Sequence, residues 1–149
     1  MSKHSRLYTI FVNMKKRCLK AYCKDFKNYG GRGITVCAEW ADTENIRVDG
    51  KYCSKGWIHF KEWALANGYA DNLTLDRIDT NKDYSPNNCR WVSSKVQNNN
   101  RRNNFLITYN GVTKTLQQWA DDLKIHKNTL RNRLLRGWSV ERALIAKLN

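Results

Sequence analysis

The amino-acid sequence predicts an α+β protein that is built in two parts. Three observations predict this class. Apolar residues recur at three- and four-residue steps over 6–29, a strand, loop, strand and helix follow one another over 73–102, and an Asn-Gly hairpin precedes three short helices after residue 105. We therefore place one domain at 1–100 and a second at 105–149, joined by a polar, basic linker at 101–104.

The charge of the chain predicts a polyanionic partner. Its 149 residues include 27 lysines and arginines against 13 acidic residues, a net charge of +14. Nucleic acid is the commonest partner of a protein this basic. The hydrophobic content of 41% is enough for a core, no apolar run is long enough for a membrane span, and no apolar signal region follows the N-terminus. We expect a cytoplasmic protein with reduced cysteines.

The first part is expected to open with a helical and strand extension. The helix of 6–29 ends at Gly30-Gly31, and the apolar stretch 33–37 predicts a short strand. The polar stretch 42–56 is interpreted as a loop. A second helix is expected over 57–67, with Gly68 at its C-terminal end.

The second part carries clear signals for the ends of its elements. Asn110-Gly111 lies between two β-prone runs over 106–114, which predicts a hairpin. Thr115 and Gln118 have the spacing of a capping box, so a helix should begin there. After a short turn, a second helix should bury Leu130, Leu134 and Leu135 and end at Gly137, and Ser139 should cap a third helix.

A helix, a short turn and a second helix form the helix-turn-helix arrangement, in which the second helix enters the major groove of DNA. Arginine can pair with guanine and asparagine with adenine, while lysine and threonine reach phosphates. The candidate DNA-binding residues of the second helix are Lys127, Asn128, Thr129, Arg131, Asn132, Arg133 and Arg136. Arg101 and Arg102 of the linker join this set, and a solvated basic helix is the alternative interpretation.

The hairpin of 73–102 has the parts that a ββα-metal nuclease needs. Asp76 or Asp79, on or after the first strand, would hold a divalent cation that stabilises charge on the phosphate. Asn88, before the second strand, would be a positioning amide. The following helix would supply a second ligand, either Gln97 or one of Asn98–Asn100.

Three stretches resemble the phage HNH endonucleases of the homing type. They are Leu-Thr-Leu-Asp-Arg-Ile-Asp at 73–79, Tyr-Ser-Pro-Asn-Asn-Cys-Arg-Trp-Val at 84–92 and Lys-Val-Gln-Asn-Asn-Asn-Arg-Arg at 95–102. The stretch 29–40 looks like the same group, and 107–145 resembles the helix-turn-helix modules appended to these enzymes. The resemblance implies an HNH-like core, hydrolysis of duplex DNA with Mg²⁺ or Mn²⁺, and a location in the host cytoplasm for a phage protein.

By this resemblance, Asp76 matches the metal-binding aspartate, Asn88 the middle asparagine and Gln97 the final ligand. Arg77 falls where the family usually has its general-base histidine. Arginine stays protonated, so it cannot accept a proton from water, although it could clamp the scissile phosphate. Asp79 or the metal alone would then activate water. The alternative is an inactive relative that binds DNA as a repressor, and an RNA-binding protein is a third hypothesis without a stacking motif to support it.

Two further features leave alternatives open. Cys18, Cys23, Cys37 and Cys89 could hold a structural zinc, but no Cys-x-x-Cys pair is present and buried free thiols are the favoured interpretation. The stretch Tyr29–Gly33 could bring backbone amides and Arg32 to a phosphate, or could simply end the first helix. The histidines His4, His59 and His126 are scattered and suggest no catalytic pair.

Overall fold

The computed structural model describes residues 5–101 and 104–146 and shows a mixed α+β protein with small antiparallel hairpins. The chain divides into two compact units, Met1–Ser94 and Lys95–Asn149. This division falls earlier than the expected domain end at residue 100. The side-chain Nδ2 of Asn104 donates to the carbonyls of Asn98 and Asn99, and the Thr115 hydroxyl donates to the Asn99 side chain. These bonds join Asn98, Asn99 and Asn104 to one another and to Thr115 within the second unit, and Arg102 lies outside the described residues.

The first helix, α1 (Arg6–Leu19), is shorter than the predicted helix of 6–29. It begins at Ser5, whose hydroxyl accepts a hydrogen bond from the amide of Tyr8. Tight turns and two short 3-10 helices, Phe26–Asn28 and Gly30–Arg32, follow it. The chain turns back so closely that a Cβ on Gly30 would collide with the carbonyl oxygen of Cys18. The prediction was wrong after Leu19 because helical spacing of apolar residues does not detect this reversal.

Two further predictions for the first unit were wrong. The expected loop at 42–56 contains an antiparallel hairpin, β1 (Asn45–Val48) with β2 (Lys51–Ser54). Its turn residues, Asp49 and Gly50, have φ of 48° and 78°, the conformation that an Asp-Gly hairpin turn requires. The expected strand at 33–37 is one parallel bridge between Val36 and Tyr84, followed by α2 (Ala38–Ala41).

The core of the first unit lies between α1, α2 and α3 (Lys55–Ala66). Met14, Trp40 and Phe60 are fully buried there, and the rings of Trp40 and Phe60 meet edge to face. The strand, loop, strand and helix expected over 73–102 are present. Strands β3 (Leu73–Arg77) and β4 (Cys89–Ser93) pair antiparallel and lead into α4 (Ser94–Asn99).

The second unit follows its predicted order closely. Strands β5 (Leu106–Tyr109) and β6 (Val112–Thr115) form a hairpin, and Asn110 and Gly111 occupy its turn with positive φ. The capping box of Thr115 and Gln118 is present at the start of α5 (Leu116–Asp122). Helices α6 (Lys127–Leu135) and α7 (Val140–Ile145) follow, and Ser139 caps α7. The core of this unit consists of Ile107, Leu116, Ala120, Leu130, Ala143 and Leu144.

Within 5–101 and 104–146, none of the helices combines the length and the hydrophobicity that a membrane span requires.

Candidate functional site

The hairpin of β3 and β4 buries one carboxylate, that of Asp76. Asp76 lies directly across the ladder from Arg90, and the Nε of Arg90 donates to its Oδ2 at 3.0 Å. The carboxylate is almost fully buried, whereas the Arg90 side chain is 45% exposed. The hairpin therefore holds this carboxylate in one orientation, with a half-exposed cation beside it. The alternation of side chains along β4 could have indicated Arg90 as a partner, but the sequence reasoning missed it.

The loop between β3 and β4 depends on the side chain of Asn88. Its Oδ1 accepts from the amide of Asp79 at 2.9 Å, and its Nδ2 donates to the carbonyls of Asp79 and Asp83 at 3.0 and 2.9 Å. Asn88 is buried, so these three bonds satisfy polar groups that water does not reach. Asn88 therefore holds the backbone of Asp79 and Asp83 in the loop, and the catalytic positioning role expected for it stays a prediction.

Arg77 points into the interior of the first unit. It is 8% exposed, its Nη1 donates to the carbonyl of Lys82 at 2.7 Å, and its guanidinium lies over the rings of Tyr29 and Tyr84. Arg17, which the sequence reasoning overlooked, lies over the same two rings. A buried guanidinium in this position holds the loop and the aromatic rings together. The expected phosphate clamp is therefore not the contact that Arg77 makes here.

The start of the loop is more exposed. The side chain of Asp79 is 41% exposed, its Oδ1 accepts from the amide of Asn81, and its Oδ2 lies 3.6 Å from the amine of Lys82. Arg32 donates to the side-chain oxygen of Asn81 at 2.7 Å and to the carbonyl of Asn28 at 3.4 Å. Arg32 thus reaches the loop that follows Asp79.

The expected metal ligands do not lie in one unit. Asp76 belongs to the first unit, whereas Gln97 lies in α4 and belongs to the second. Among residues 5–101 and 104–146, no three His, Cys, Asp or Glu side chains form a group that could hold a metal ion. Mg²⁺ commonly takes one or two carboxylates and completes its shell with waters and substrate phosphates.

Helix α6 presents most of its polar residues to solvent. The exposed members of the candidate set are Lys127, Asn128, Arg131, Asn132 and Arg136, and Thr129 is half-buried. No acidic residue occurs between Lys127 and Arg136. The helix N-terminus is capped by His126, whose Nδ1 accepts from the amide of Asn128. This part of the expected DNA-binding face is accessible.

Two expectations for α6 were wrong. Arg133 is 9% exposed, donates to the carbonyl of Ala143 at 2.9 Å and lies over the ring of Trp138, so it stabilises the second unit from inside. Leu135, expected in the core, is 73% exposed. The buried face of α6 therefore differs from the predicted one. In the sequence, leucines and arginines occupy neighbouring positions on this helix, so their spacing alone did not show which of them are buried.

A groove of about 1170 Å³ runs along this face within the second unit. Lys95, Arg101, Lys127 and Arg131 contribute its cations. Asp121, also in the lining, pairs with Lys95 at 2.8 Å. The groove therefore joins Arg101, an expected DNA-binding residue, to the exposed face of α6.

The cysteines are free thiols in the first unit. Burial raises the pKa of Cys18 to about 11 and that of Cys89 to about 12, and it also raises the pKa of Cys37. These placements agree with the interpretation of Cys18 and Cys89 as buried thiols.

No protein-family model, curated protein or solved structure matches this chain.

Proposed function

We propose that this protein is a site-directed endonuclease of duplex DNA, of the HNH type found in phage homing enzymes. The first unit would hydrolyse the phosphodiester at the β3–β4 hairpin, and the second would bind the duplex with α6 as the second helix of a helix-turn-helix. The observation that carries the proposal is the buried carboxylate of Asp76 on a hairpin whose loop is fastened by Asn88.

The proposed chemistry divides between Asp76 and the neighbouring side chains. Asp76 would hold a divalent ion together with a DNA phosphate. The bound ion would supply stabilisation of the charge that develops on the phosphate. Arg90 restricts the orientation of the Asp76 carboxylate through its bond to Oδ2. Asn88 positions the loop.

Proton transfer is assigned to Asp79 in this proposal. Arg77 is buried, bonded to the Lys82 carbonyl, and permanently charged, so it cannot accept a proton from water. Asp79 is the neighbouring carboxylate with an accessible side chain, 41% exposed. It can accept a proton from water while Asn88 fixes its backbone on both sides of the residue.

A second candidate function is a catalytically inactive relative that binds specific DNA as a repressor. The contacts of Arg77 and the ion pair between Asp76 and Arg90 favour it, because both are also what a purely structural hairpin would contain.

Plasmid cleavage distinguishes the two functions. We expect supercoiled plasmid to become relaxed or linear with Mg²⁺ or Mn²⁺, and the product to disappear with EDTA and in Asp76→Asn. Glu62→Gln, an exposed acid of α3, is the matched control and should retain activity. Duplex binding without product under either metal would support the repressor. A chain that does not bind duplex DNA at low salt would contradict both functions.

A further inference from the structure

We propose that the first unit binds the phosphate backbone of duplex DNA through a surface of its own, separate from α6. This surface, called the lysine surface below, consists of Lys16, Lys20, Lys24 and Lys27 with Tyr22. The inference rests on the proposed function, because it names how the nuclease-like unit would hold the same duplex.

The first observation is the positive charge of the segment 15–27. Residues 15–27 contain five lysines and one arginine against a single acid, Asp25. The four lysines of the surface are exposed. None of them forms an ion pair with a carboxylate anywhere in 5–101 or 104–146. Lys15 is different, since its amine donates to the carbonyl of Ala41 and burial lowers its pKa.

The backbone turns tightly through the segment that carries Lys20 and Lys24. After α1 ends at Leu19, the amide of Cys23 bonds to the carbonyl of Lys20 and the amide of Phe26 to that of Cys23. Tyr22 projects from these turns with 77% of its surface exposed, and the amine of Lys16 lies 5.7 Å from its ring centre. Lysine amines and tyrosine hydroxyls are the groups that commonly contact DNA phosphates.

Two guanidinium groups of the first unit carry further positive charge. Arg17 and Arg77 both lie over the rings of Tyr29 and Tyr84, at 4.7 to 5.2 Å. Within the described residues, neither forms an ion pair with a carboxylate. A charge that is not neutralised locally attracts counter-ions or a polyanion at the surface above it.

The lysine surface adjoins the loop of the candidate site. Arg32 bonds to the Asn28 carbonyl, next to Lys27, and to the side chain of Asn81 in the loop. The parallel bridge of Val36 with Tyr84 holds the later part of the same loop. Arg32 is therefore a further cation between Asn28, which follows Lys27, and the loop that follows Asp79. This placement favours duplex DNA as the occupant over an unrelated acidic partner.

The salt dependence of binding by the full chain tests the inference. The variant is Lys20→Gln/Lys24→Gln, and the matched control is Lys51→Gln/Lys61→Gln, two exposed lysines elsewhere in the first unit. Each phosphate contact contributes about 0.9 to the slope of log affinity against log salt. We expect the variant to reduce that slope by about 2 for any duplex sequence, while the preference for a chosen sequence and the slope of the control stay unchanged.

Other outcomes would overturn the inference. If wild type binds duplex DNA and the variant keeps its full slope, the lysine surface does not contact the duplex although the proposed function stands. Equal losses in variant and control would show diffuse charge without a defined surface. A slope that falls for single-stranded RNA but not for duplex DNA would assign the surface to RNA. If wild type itself binds no duplex, the proposed function has failed first.

Discussion

Asn88 is the side chain on which the β3–β4 loop depends. Replacing it with alanine removes three hydrogen bonds and leaves the amide of Asp79 and two carbonyls without their partner. We expect Asn88→Ala to lower the free energy of unfolding by about 2–4 kcal/mol, since a lost buried bond costs roughly 1–3 kcal/mol when its partner stays unsatisfied. Urea denaturation followed by tryptophan fluorescence measures this change.

The neighbouring residue supplies the control for this prediction. Asn87 is exposed, so Asn87→Ala should change the stability by less than about 0.5 kcal/mol. Equal losses in the two variants would mean that the amide of Asn88 does not hold the loop. For this single residue, its type and its place before a strand were enough to suggest that it holds the loop, because asparagine offers both a donor and an acceptor to backbone groups.

Helix α6 has one basic residue inside the unit and several outside. Arg131 is exposed, whereas Arg133 is buried against Trp138 and the Ala143 carbonyl. We expect Arg131→Ala to weaken duplex binding by roughly 5- to 150-fold, the 1–3 kcal/mol of a specific base contact, without changing stability. Arg133→Ala should instead lower stability, because the Ala143 carbonyl loses its donor.

The two variants are compared by duplex titration and by thermal unfolding of the same preparations. A destabilised Arg131→Ala, or an Arg133→Ala protein of normal stability that binds poorly, would reverse the assignment of these two side chains. Arg131 and Arg133 differ because of the helix as a whole. Both are arginines on α6, and the rotation of the helix turns one side chain towards solvent and the other towards the core.

The pH dependence of stability belongs to the whole molecule, because it sums groups that are buried throughout the first unit. Cys18 and Cys89 keep their protons to about pH 11 and 12 in the folded chain, against an ordinary thiol pKa of 9.0. Their contribution to the free energy of unfolding is fully present below pH 9. It is lost as the pH rises towards 11 and 12, since the unfolded state then releases protons that the folded state retains.

We therefore expect wild type to lose more stability than Cys18→Ala/Cys89→Ala when the pH rises from 8 to 10.5. Comparing the two proteins cancels the effect of lysine titration, which relieves repulsion in a chain of net charge +14. The measurement is the urea midpoint at each pH. Equal changes in both proteins would show that the thiols ionise normally in the folded state.

The elements with local signals were predictable from the printed residues. The Asn110-Gly111 turn, the capping box of Thr115 and Gln118, and the β3, β4, α4 order all follow from neighbouring residues, because turn and cap geometry is set within a few positions of the chain. The same kind of signal at Asp49-Gly50 was present but was not recognised.

Contacts between residues distant in sequence could not be derived in this way. The reversal after Leu19, the burial of Arg77 with Arg17 on two tyrosines, and the rotation of α6 that hides Arg133 all depend on which surfaces meet when the chain packs. The spacing of arginines in the sequence is the same whether their side chains lie on a solvated face or are buried. The choice between them depends on the aromatic rings and carbonyls that surround each side chain in the folded protein.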